Sequence, residues 1–165
     1  MTGNIVIEPI SERSFPEFIH LVRELARFEH LDPPDEAAEE RLRQHAFQER
    51  PFYEAFLARL DGKAIGYIIY FLSYSSFKAK PTLYLEDIFL EEQYRGQGFG
   101  KEMFLFVVRK ADEIGCGRME WSALKWNKKA IDFYLAMGAK PLDEWTYYRM
   151  TEDTILATAR RPSQK

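Results

Sequence analysis

Two neighbouring carboxylates, Glu86 and Asp87, interrupt an apolar strand pattern that runs from Thr82 to Leu90. Charged residues between apolar neighbours on a central strand are uncommon, because a buried carboxylate loses its hydration. A carboxylate attracts a cation and can accept a proton, and both steps are needed to turn an ammonium group into a nucleophile. The pair therefore predicts an acidic site for a cationic substrate. Two solvated strand carboxylates are the alternative.

A tyrosine, Tyr134, lies on the apolar side of a short predicted helix that Asn127 caps and Gly138 ends. A phenol is normally protonated at neutral pH, so it can serve as a general acid. The same position also fits packing in the core, and the two roles can coexist. Asn127 likewise fits either a simple N-cap or a ligand contact.

Three glycines on alternate positions lie in the stretch YRGQGFGK, residues 94–101, directly before an apolar helical pattern. Glycine at this density indicates positive φ angles or close approach of a ligand, and the start of a helix binds anions. A dinucleotide-binding motif would need the third glycine one residue later, and a Walker loop would need one more residue before Gly100-Lys101. The loop therefore predicts an anion site of another kind, with a turn that binds nothing as the alternative.

The elements that must position these residues follow a mixed α/β pattern. The spacing of apolar residues predicts strands at 4–9, 53–60, 64–72, 82–90, 118–124 and 145–150, and helices at 15–29, 36–48, 99–114 and 128–137. Ser14 and Glu17 predict a capping box, and residues 61–63 predict a tight hairpin turn. With no repeat and no linker rich in Pro, Gly or Ser, residues 1–165 are predicted to form a single domain.

The composition limits the class of protein. The chain has 165 residues, of which 46% are hydrophobic and 30% charged, as in ordinary globular domains. Its net charge of −3, without blocks of like charge, argues against a nucleic-acid partner. A single cysteine, Cys116, excludes an internal disulfide, and no apolar span of membrane length or signal peptide is found. We therefore expect a cytoplasmic protein without a membrane partner.

The stretch Arg95 to Gly100 resembles the R/Q-x-x-G-x-G/A signature of the GNAT acetyltransferase superfamily, whose loop holds the pyrophosphate of acetyl-CoA. Other stretches resemble the spermidine/spermine (diamine) acetyltransferases and their thialysine-acetylating relatives. These are LARFE at 25–29, PFY at 51–53, YLEDIFL at 84–90, WN at 126–127, FY at 133–134, GA at 138–139 and Trp145. The resemblance covers residues 4 to about 157 and implies the GNAT fold, with a mixed, mostly antiparallel central sheet flanked by helices.

The resemblance also implies an activity. An acetyl-CoA-dependent N-acetyltransferase would acetylate a primary amine of a small polyamine or diamine, by direct attack in a ternary complex. Tyr134 would be the general acid, and Glu86 would bind the amine and accept its proton, directly or through water. The predicted acceptor-side residues are Phe28, Glu29, Glu86, Asp87, Glu120, Trp121 and Ser122. The predicted coenzyme contacts are Ile88, Phe89, Leu90, Arg95, Gly96, Gln97, Gly98, Phe99, Gly100, Lys101, Asn127, Lys128, Lys129 and Ala130.

Some positions depart from the polyamine-acetylating pattern. Phe28 replaces a tyrosine, and residues 120–122 also differ, so an acceptor such as thialysine, lysine or a protein lysine stays open. A non-catalytic module that binds acyl-CoA is a further alternative. We expect Cys116 to be structural, and the three histidines lack metal-ligand spacing, so no metal is predicted. A homodimer is expected, with Trp145, Tyr147 and Tyr148 either at its interface or on a core strand.

Overall fold

The protein was analysed as a computed structural model that describes residues 3–161. The contacts within the chain divide it after Ser122 into two compact units. The single domain over residues 1–165 therefore stays a prediction. The elements of the first unit are β1 (Val6–Pro9), α1 (Phe15–Phe28), α2 (Glu36–Phe47), β2 (Glu54–Leu60), β3 (Lys63–Ser75), β4 (Lys80–Leu90), a 3₁₀ turn (Glu92–Tyr94), α3 (Phe99–Ile114) and β5 (Arg118–Glu120). The second unit contains α4 (Lys128–Ala136) and α5 (Glu152–Ala159).

The first unit is built on one sheet with the strand order β1-β2-β3-β4-β5. The first four strands are antiparallel neighbours, and β5 joins β4 in parallel. The β2–β3 turn places both Asp61 and Gly62 at positive φ, 50° and 83°, as the tight turn of a twisted hairpin requires. The predicted α/β class, with a mixed and mostly antiparallel sheet flanked by helices, is confirmed.

Helices cover the two faces of this sheet. Phe18 and Leu21 of α1 pack into the same buried cluster as Tyr67 and Phe89 of the sheet, and Phe18 meets Tyr67 edge to face at 5.3 Å. On the opposite face, Phe106 of α3 packs edge to face on the Phe56 ring at 5.0 Å. Side chains alternate across a strand, so each strand supplies residues to both layers. The two faces of the sheet thus have separate hydrophobic layers.

Two strand predictions are wrong in part or in full. β5 ends at Glu120 rather than at residue 124, and residues 145–150 form no strand. β-Propensity gives a strand only where a neighbouring backbone completes the hydrogen-bond ladder, and within residues 3–161 no strand pairs with the aromatic stretch. The helix α5, which Thr151 caps through its side chain, was missed.

The predicted capping box at the start of α1 is also absent. The Ser14 side chain makes no cap hydrogen bond, and instead the Ser11 N–H donates to Ser14 Oγ at 2.9 Å. The Glu17 carboxylate, which a capping box would use, receives hydrogen bonds from the Arg59 guanidinium at 2.8 and 2.9 Å. A charged partner from β2 therefore outcompetes the local cap, because charge-assisted hydrogen bonds are stronger than neutral ones.

A glycine on β3 allows β3 and β4 to approach closely. A methyl group built on Gly66 would overlap the Phe89 carbonyl oxygen and lie 3.3 Å from Leu90 Cα. We expect Gly66→Ala to lower the free energy of unfolding by about 1–3 kcal/mol, because backbone atoms cannot move aside as a side chain can. Urea unfolding measures this, with Gly100→Ala as control, since a methyl group there meets its nearest atom at 4.0 Å. Equal stability of both variants would contradict the expectation.

Candidate active site

A β-bulge on β4 carries the two neighbouring carboxylates. Ile69 of β3 lies opposite Asp87 and Tyr70 lies opposite Leu85, so Glu86 is the extra residue between them. In a regular strand, Glu86 and Asp87 would point to opposite faces of the sheet. A bulge lets successive side chains project toward one side and is frequent beside active sites. The bulge explains how two adjacent carboxylates come to act on one region.

Three carboxylates, Glu29, Glu86 and Asp87, form an acidic cluster on the α1 face of the sheet. Burial raises the pKa of Asp87 to about 6, and the neighbouring charges of Glu86 and Glu29 add to the shift. Burial also raises the pKa of Glu29, which caps the C-terminal end of α1. The described groups that shift the Asp87 pKa are Tyr67, Glu86 and Glu29, and none of these is a cation. A cationic ligand would supply the missing positive charge.

The raised pKa of Asp87 has a consequence for stability. Its folded-state pKa of about 6 exceeds the ordinary value of 3.8, so the folded protein binds this proton more tightly than the unfolded chain. The stabilisation is full below about pH 4 and is lost as the pH rises through about 6. Asp87→Asn should therefore raise the free energy of unfolding by about 1–3 kcal/mol at pH 8 and by little at pH 4. Urea unfolding at the two pH values tests this, and an equal effect at both would contradict it.

The edge of β4 beyond Tyr84 is open toward the side of β5. β5 pairs with β4 only opposite Thr82, Leu83 and Tyr84. From Leu85 to Leu90, no strand among residues 3–161 lies on that edge. The predicted coenzyme contacts at Ile88, Phe89 and Leu90 therefore pair with β3 on one edge of β4 and with no strand on the other. Unpaired strand edges bind extended ligands through main-chain hydrogen bonds.

The glycine loop follows β4 after the 3₁₀ turn at Glu92–Tyr94. Gly96 and Gly98 have φ angles of 76° and 93°, and a methyl group built on either would meet nothing within 4 Å. The loop thus needs glycine for its conformation rather than for internal packing. The first helical bond of α3 runs from the Glu102 N–H to the Gly98 carbonyl, so the N–H groups at Phe99 to Lys101 precede the regular ladder. Such N–H groups at the positive end of a helix dipole are suited to an anion, and the loop with these groups is called the cradle at the start of α3.

The Arg95 side chain points away from the loop and contacts α1 and β4. Its guanidinium lies 4.4 Å from the centre of the Phe28 ring and 5.7 Å from that of Phe89, while its Nε donates to the Leu90 carbonyl at 2.9 Å. Gln97 turns back in a similar way and donates from Nε2 to the Gln93 carbonyl at 3.1 Å. Both side chains hold the loop against its own backbone, and Arg95 also holds it against the end of α1 through Phe28.

The other predicted acceptor-side residues are not gathered at the acidic cluster. The Glu120 carboxylate forms an ion pair with Arg118 at 3.4 Å. Trp121 lies edge to face on Phe104 of α3, 5.4 Å between ring centres, on the sheet face opposite to α1. Ser122 is exposed. The roles of these three residues in acceptor binding stay predictions.

The second unit carries the predicted general acid. Tyr134 lies on α4 and is half-buried, and burial raises the pKa of its phenol above the ordinary value of 10.0. The phenol therefore keeps its proton at neutral pH. Asn127 caps this helix, because its Oδ1 accepts a hydrogen bond from the Ala130 N–H at 3.3 Å. Lys128 and Lys129 are exposed at the start of α4.

Other reactive side chains of the described chain show no catalytic arrangement. Burial raises the pKa of the Cys116 thiol, which disfavours the thiolate that a nucleophile would need. The described residues contain no group of three or more His, Cys, Asp and Glu side chains placed to hold a metal ion. Within residues 3–161, no helix has the length and apolar character needed to cross a bilayer.

The sequence analysis missed one residue that contacts the acidic cluster, Tyr67. The hydroxyl of Tyr67 on β3 donates to Asp87 Oδ2 at 3.1 Å, and the Tyr67 side chain is fully buried. An aromatic residue on an apolar strand is typical of a core position, so its spacing gave no signal. The sequence analysis predicted the β2–β3 hairpin but no pairing of β3 with β4, so nothing indicated that a phenol on β3 lies near this carboxylate.

Comparison with known proteins identifies the family to which the sequence is similar. The sequence pattern of the Acetyltransferase (GNAT) family matches residues 17–139. The chain is 36% identical over 162 residues to the thialysine N-epsilon-acetyltransferase of Bos taurus, which covers 92% of this chain and 95% of that protein. It is 42% identical over 111 residues to L-ornithine N5-acetyltransferase NATA1 of Arabidopsis thaliana, which covers 66% of this chain and 49% of that protein.

Solved structures show the same fold at lower identity. The aminoglycoside N-acetyltransferase AAC(6')-Iy in complex with CoA superposes with a TM-score of 0.73 at 21% identity, covering 91% of this chain and 97% of that one. GNAT acetyltransferases use acetyl-CoA and act on amines. The predicted family and the predicted enzyme class, an N-acetyltransferase, are confirmed. From the family match over residues 17–139 and the similarity along nearly the whole sequence, the chain belongs to the Acetyltransferase (GNAT) family.

Proposed function

We propose that this protein transfers an acetyl group from acetyl-CoA to a primary amine of a small aliphatic cation. The observation that carries the proposal is the acidic cluster of Glu29, Glu86 and Asp87 on the sheet that also bears the glycine loop. The described groups that shift the pKa of Asp87 are two carboxylates and a phenol and include no cation, so this site favours a cationic ligand over a neutral or anionic one. Asp87 and Glu29 serve to attract the ammonium group.

The chain has residues suited to hold acetyl-CoA. The cradle at the start of α3 fits a pyrophosphate, since Gly96 and Gly98 leave open space where a side chain would stand. The open edge of β4 from Leu85 to Leu90 suits the pantetheine amides, and its N–H groups suit the polarisation of a carbonyl. When bound, acetyl-CoA supplies the activated thioester. The protein residues contribute binding, orientation and proton transfer.

The proton transfers are assigned to two side chains. A primary amine has a solution pKa of ~10 and is protonated at neutral pH, so it must lose a proton before it attacks. Glu86 is exposed at the bulge, where it can take that proton directly or through water and release it to solvent. Tyr134 keeps a proton on its phenol oxygen, as its raised pKa requires, and is proposed to deliver it to the departing sulfur. Direct attack within a ternary complex needs no further nucleophile.

The acceptor is proposed at the level of two chemical classes. A thialysine-type side-chain amine comes first, because the relative that matches this chain over most of its length is named for thialysine. A polyamine or diamine comes second, because the acidic cluster offers several carboxylates to a ligand with more than one ammonium group. Both classes present a primary amine on a flexible chain, so the same site accommodates either.

Steady-state kinetics with a panel of acceptors test the proposal. Release of CoA from acetyl-CoA would be followed with thialysine, ornithine, lysine, spermidine, putrescine and a lysine-containing peptide. The highest kcat/KM for thialysine or ornithine would support the amino-acid class, and the highest value for spermidine would support the polyamine class. Coenzyme binding without turnover of any amine would contradict the proposal and favour a non-catalytic acyl-CoA-binding module.

A homodimer and a cytoplasmic location are further parts of the proposal. Trp145, Tyr147 and Tyr148 are 74%, 78% and 89% exposed in the structure, as residues at a subunit interface would be in a single chain. Sedimentation equilibrium at assay concentration would show twice the chain mass for a dimer, and a monomer would contradict it. The cytoplasmic location rests on the single cysteine of the sequence, and cell fractionation tests it.

A further inference from the structure

The buried hydroxyl of Tyr67 stands out among the polar groups of the described chain that the proposed mechanism does not use. The side chain is 0% exposed and lies in the apolar layer beneath α1. Its ring is fixed by Phe18, edge to face at 5.3 Å, and by Phe89 at 6.1 Å. A buried phenol needs a hydrogen-bond partner, and this one donates to Asp87 Oδ2 at 3.1 Å.

This contact joins the buried core beneath α1 to the acidic cluster. Tyr67 lies directly opposite Phe89, and Asp87 lies opposite Ile69, so the phenol reaches the carboxylate diagonally across β3 and β4. The bulge at Glu86 locally disrupts the regular pairing, and a bulge re-aims the side chains beside it. The Tyr67 ring cannot turn without displacing Phe18 and Phe89, so its hydroxyl is a fixed point.

We infer that Tyr67 is a positioning residue for the acceptor amine, and that its hydroxyl holds the Asp87 carboxylate so that Oδ1 faces the incoming ammonium group. The inference rests on the proposed amine acetyltransferase function and extends it to a residue outside the acceptor-side set. Tyr67 does not touch the substrate in this scheme. It acts through Asp87, while Glu86 is left to accept the proton.

The charged groups around Asp87 determine what removal of the hydroxyl should do. Glu29 faces Asp87 from α1, Glu86 from β4 and Tyr67 from β3, and burial is the largest influence on the Asp87 pKa. Burial and the two carboxylates raise that pKa, whereas the Tyr67 hydrogen bond lowers it. Without the hydroxyl, the pKa of Asp87 rises, and a larger fraction of Asp87 is protonated at neutral pH. Protonated Asp87 no longer attracts an ammonium group.

Tyr67→Phe tests the inference through the pH dependence of the acceptor kinetics. We expect the acid limb of kcat/KM for the amine to move up by about one pH unit, with roughly five- to tenfold lower kcat/KM at pH 7 and recovery above pH 8.5. The KM for acetyl-CoA should stay unchanged. A loss that is equal at every pH would mean that Tyr67 only supports the fold, and an unchanged profile would overturn the inference as well.

A matched control and a second measurement separate this inference from the proposed function. Tyr70→Phe removes a buried phenolic hydroxyl from the same strand on the opposite face, where the ring stacks on Phe56 at 5.8 Å, and should leave the pH profile unchanged. Carbon-13 NMR titration of the Asp87 carboxyl requires no activity and should give a higher pKa in Tyr67→Phe than in the wild type. An equal pKa in the two proteins would overturn the inference even if the enzyme is active, whereas a wild type inactive on all amines would overturn the proposed function instead.

Discussion

Gly98→Asp should weaken acetyl-CoA binding by more than about 100-fold while the protein stays folded. Gly98 precedes α3 with a φ of 93°, a conformation that costs most side chains about 1 kcal/mol or more but that Asp tolerates better than others. The larger effect is electrostatic. A carboxylate about 5 Å from a pyrophosphate charge costs roughly 3 kcal/mol at an effective dielectric constant of about 20, in the place where the helix dipole otherwise favours an anion.

The matched control for this variant lies at the other end of the same helix. Gly115 follows α3 with a φ of 78°, and a methyl group built there meets nothing within 4 Å. Gly115→Asp therefore introduces a similar backbone strain and the same charge, but away from the glycine loop. Calorimetric titration with CoA gives the affinities, and urea unfolding shows whether both variants fold. Similar CoA affinity in Gly98→Asp and wild type would place the coenzyme elsewhere.

Tyr134→Phe should lower kcat about 100-fold, within the range of general acid catalysis, and leave the affinity for acetyl-CoA nearly unchanged. The pKa of this phenol lies above 10.0 because of burial, so the proton that the mechanism needs is present throughout the usual assay range. The substitution removes only the hydroxyl and keeps the ring, which preserves packing on α4. Single-turnover kinetics with saturating acetyl-CoA separate the chemical step from binding and product release.

Tyr74→Phe is a suitable control because it removes a phenolic hydroxyl from a 69% exposed position on β3. It should retain wild-type turnover. If Tyr134→Phe also turns over at the wild-type rate, the phenol has no part in proton transfer and Tyr134 is a packing residue. A loss of CoA affinity equal to the loss of kcat would likewise contradict the assignment, because a general acid acts after the coenzyme has bound.

The helices α1 to α4 were predictable because their signals are local. The predicted α3 range of 99–114 agrees with the observed Phe99–Ile114, and glycines with positive φ flank it at both ends. Strands at the sheet edge were predicted less well. The aromatic stretch 145–150 satisfies β-propensity, but a strand also needs a partner, and partners come from distant parts of the chain.

The same distinction holds for the candidate site. Glu86 and Asp87 were visible as neighbours that break an apolar pattern, and the glycine loop was visible from its spacing. The contact of Arg95 with Phe28 joins residues that are far apart in the sequence, and no local pattern indicates it. The contact of Arg95 with the coenzyme stays a prediction, and the structure adds that its side chain contacts Phe28 of α1 and donates to the Leu90 carbonyl.

By itself, the sequence determined the family and located the glycine loop and the acidic pair, because each depends on residue types at short fixed spacing. Only the tertiary structure decided that Asp87 is held by Tyr67, that Glu120 pairs with Arg118, and that Trp121 lies on the α3 side of the sheet. Bulges, strand register and burial arise when distant segments pack together. Burial of this kind raises the pKa of Asp87 and of Glu29, so the ionisation of these two carboxylates depends on the fold.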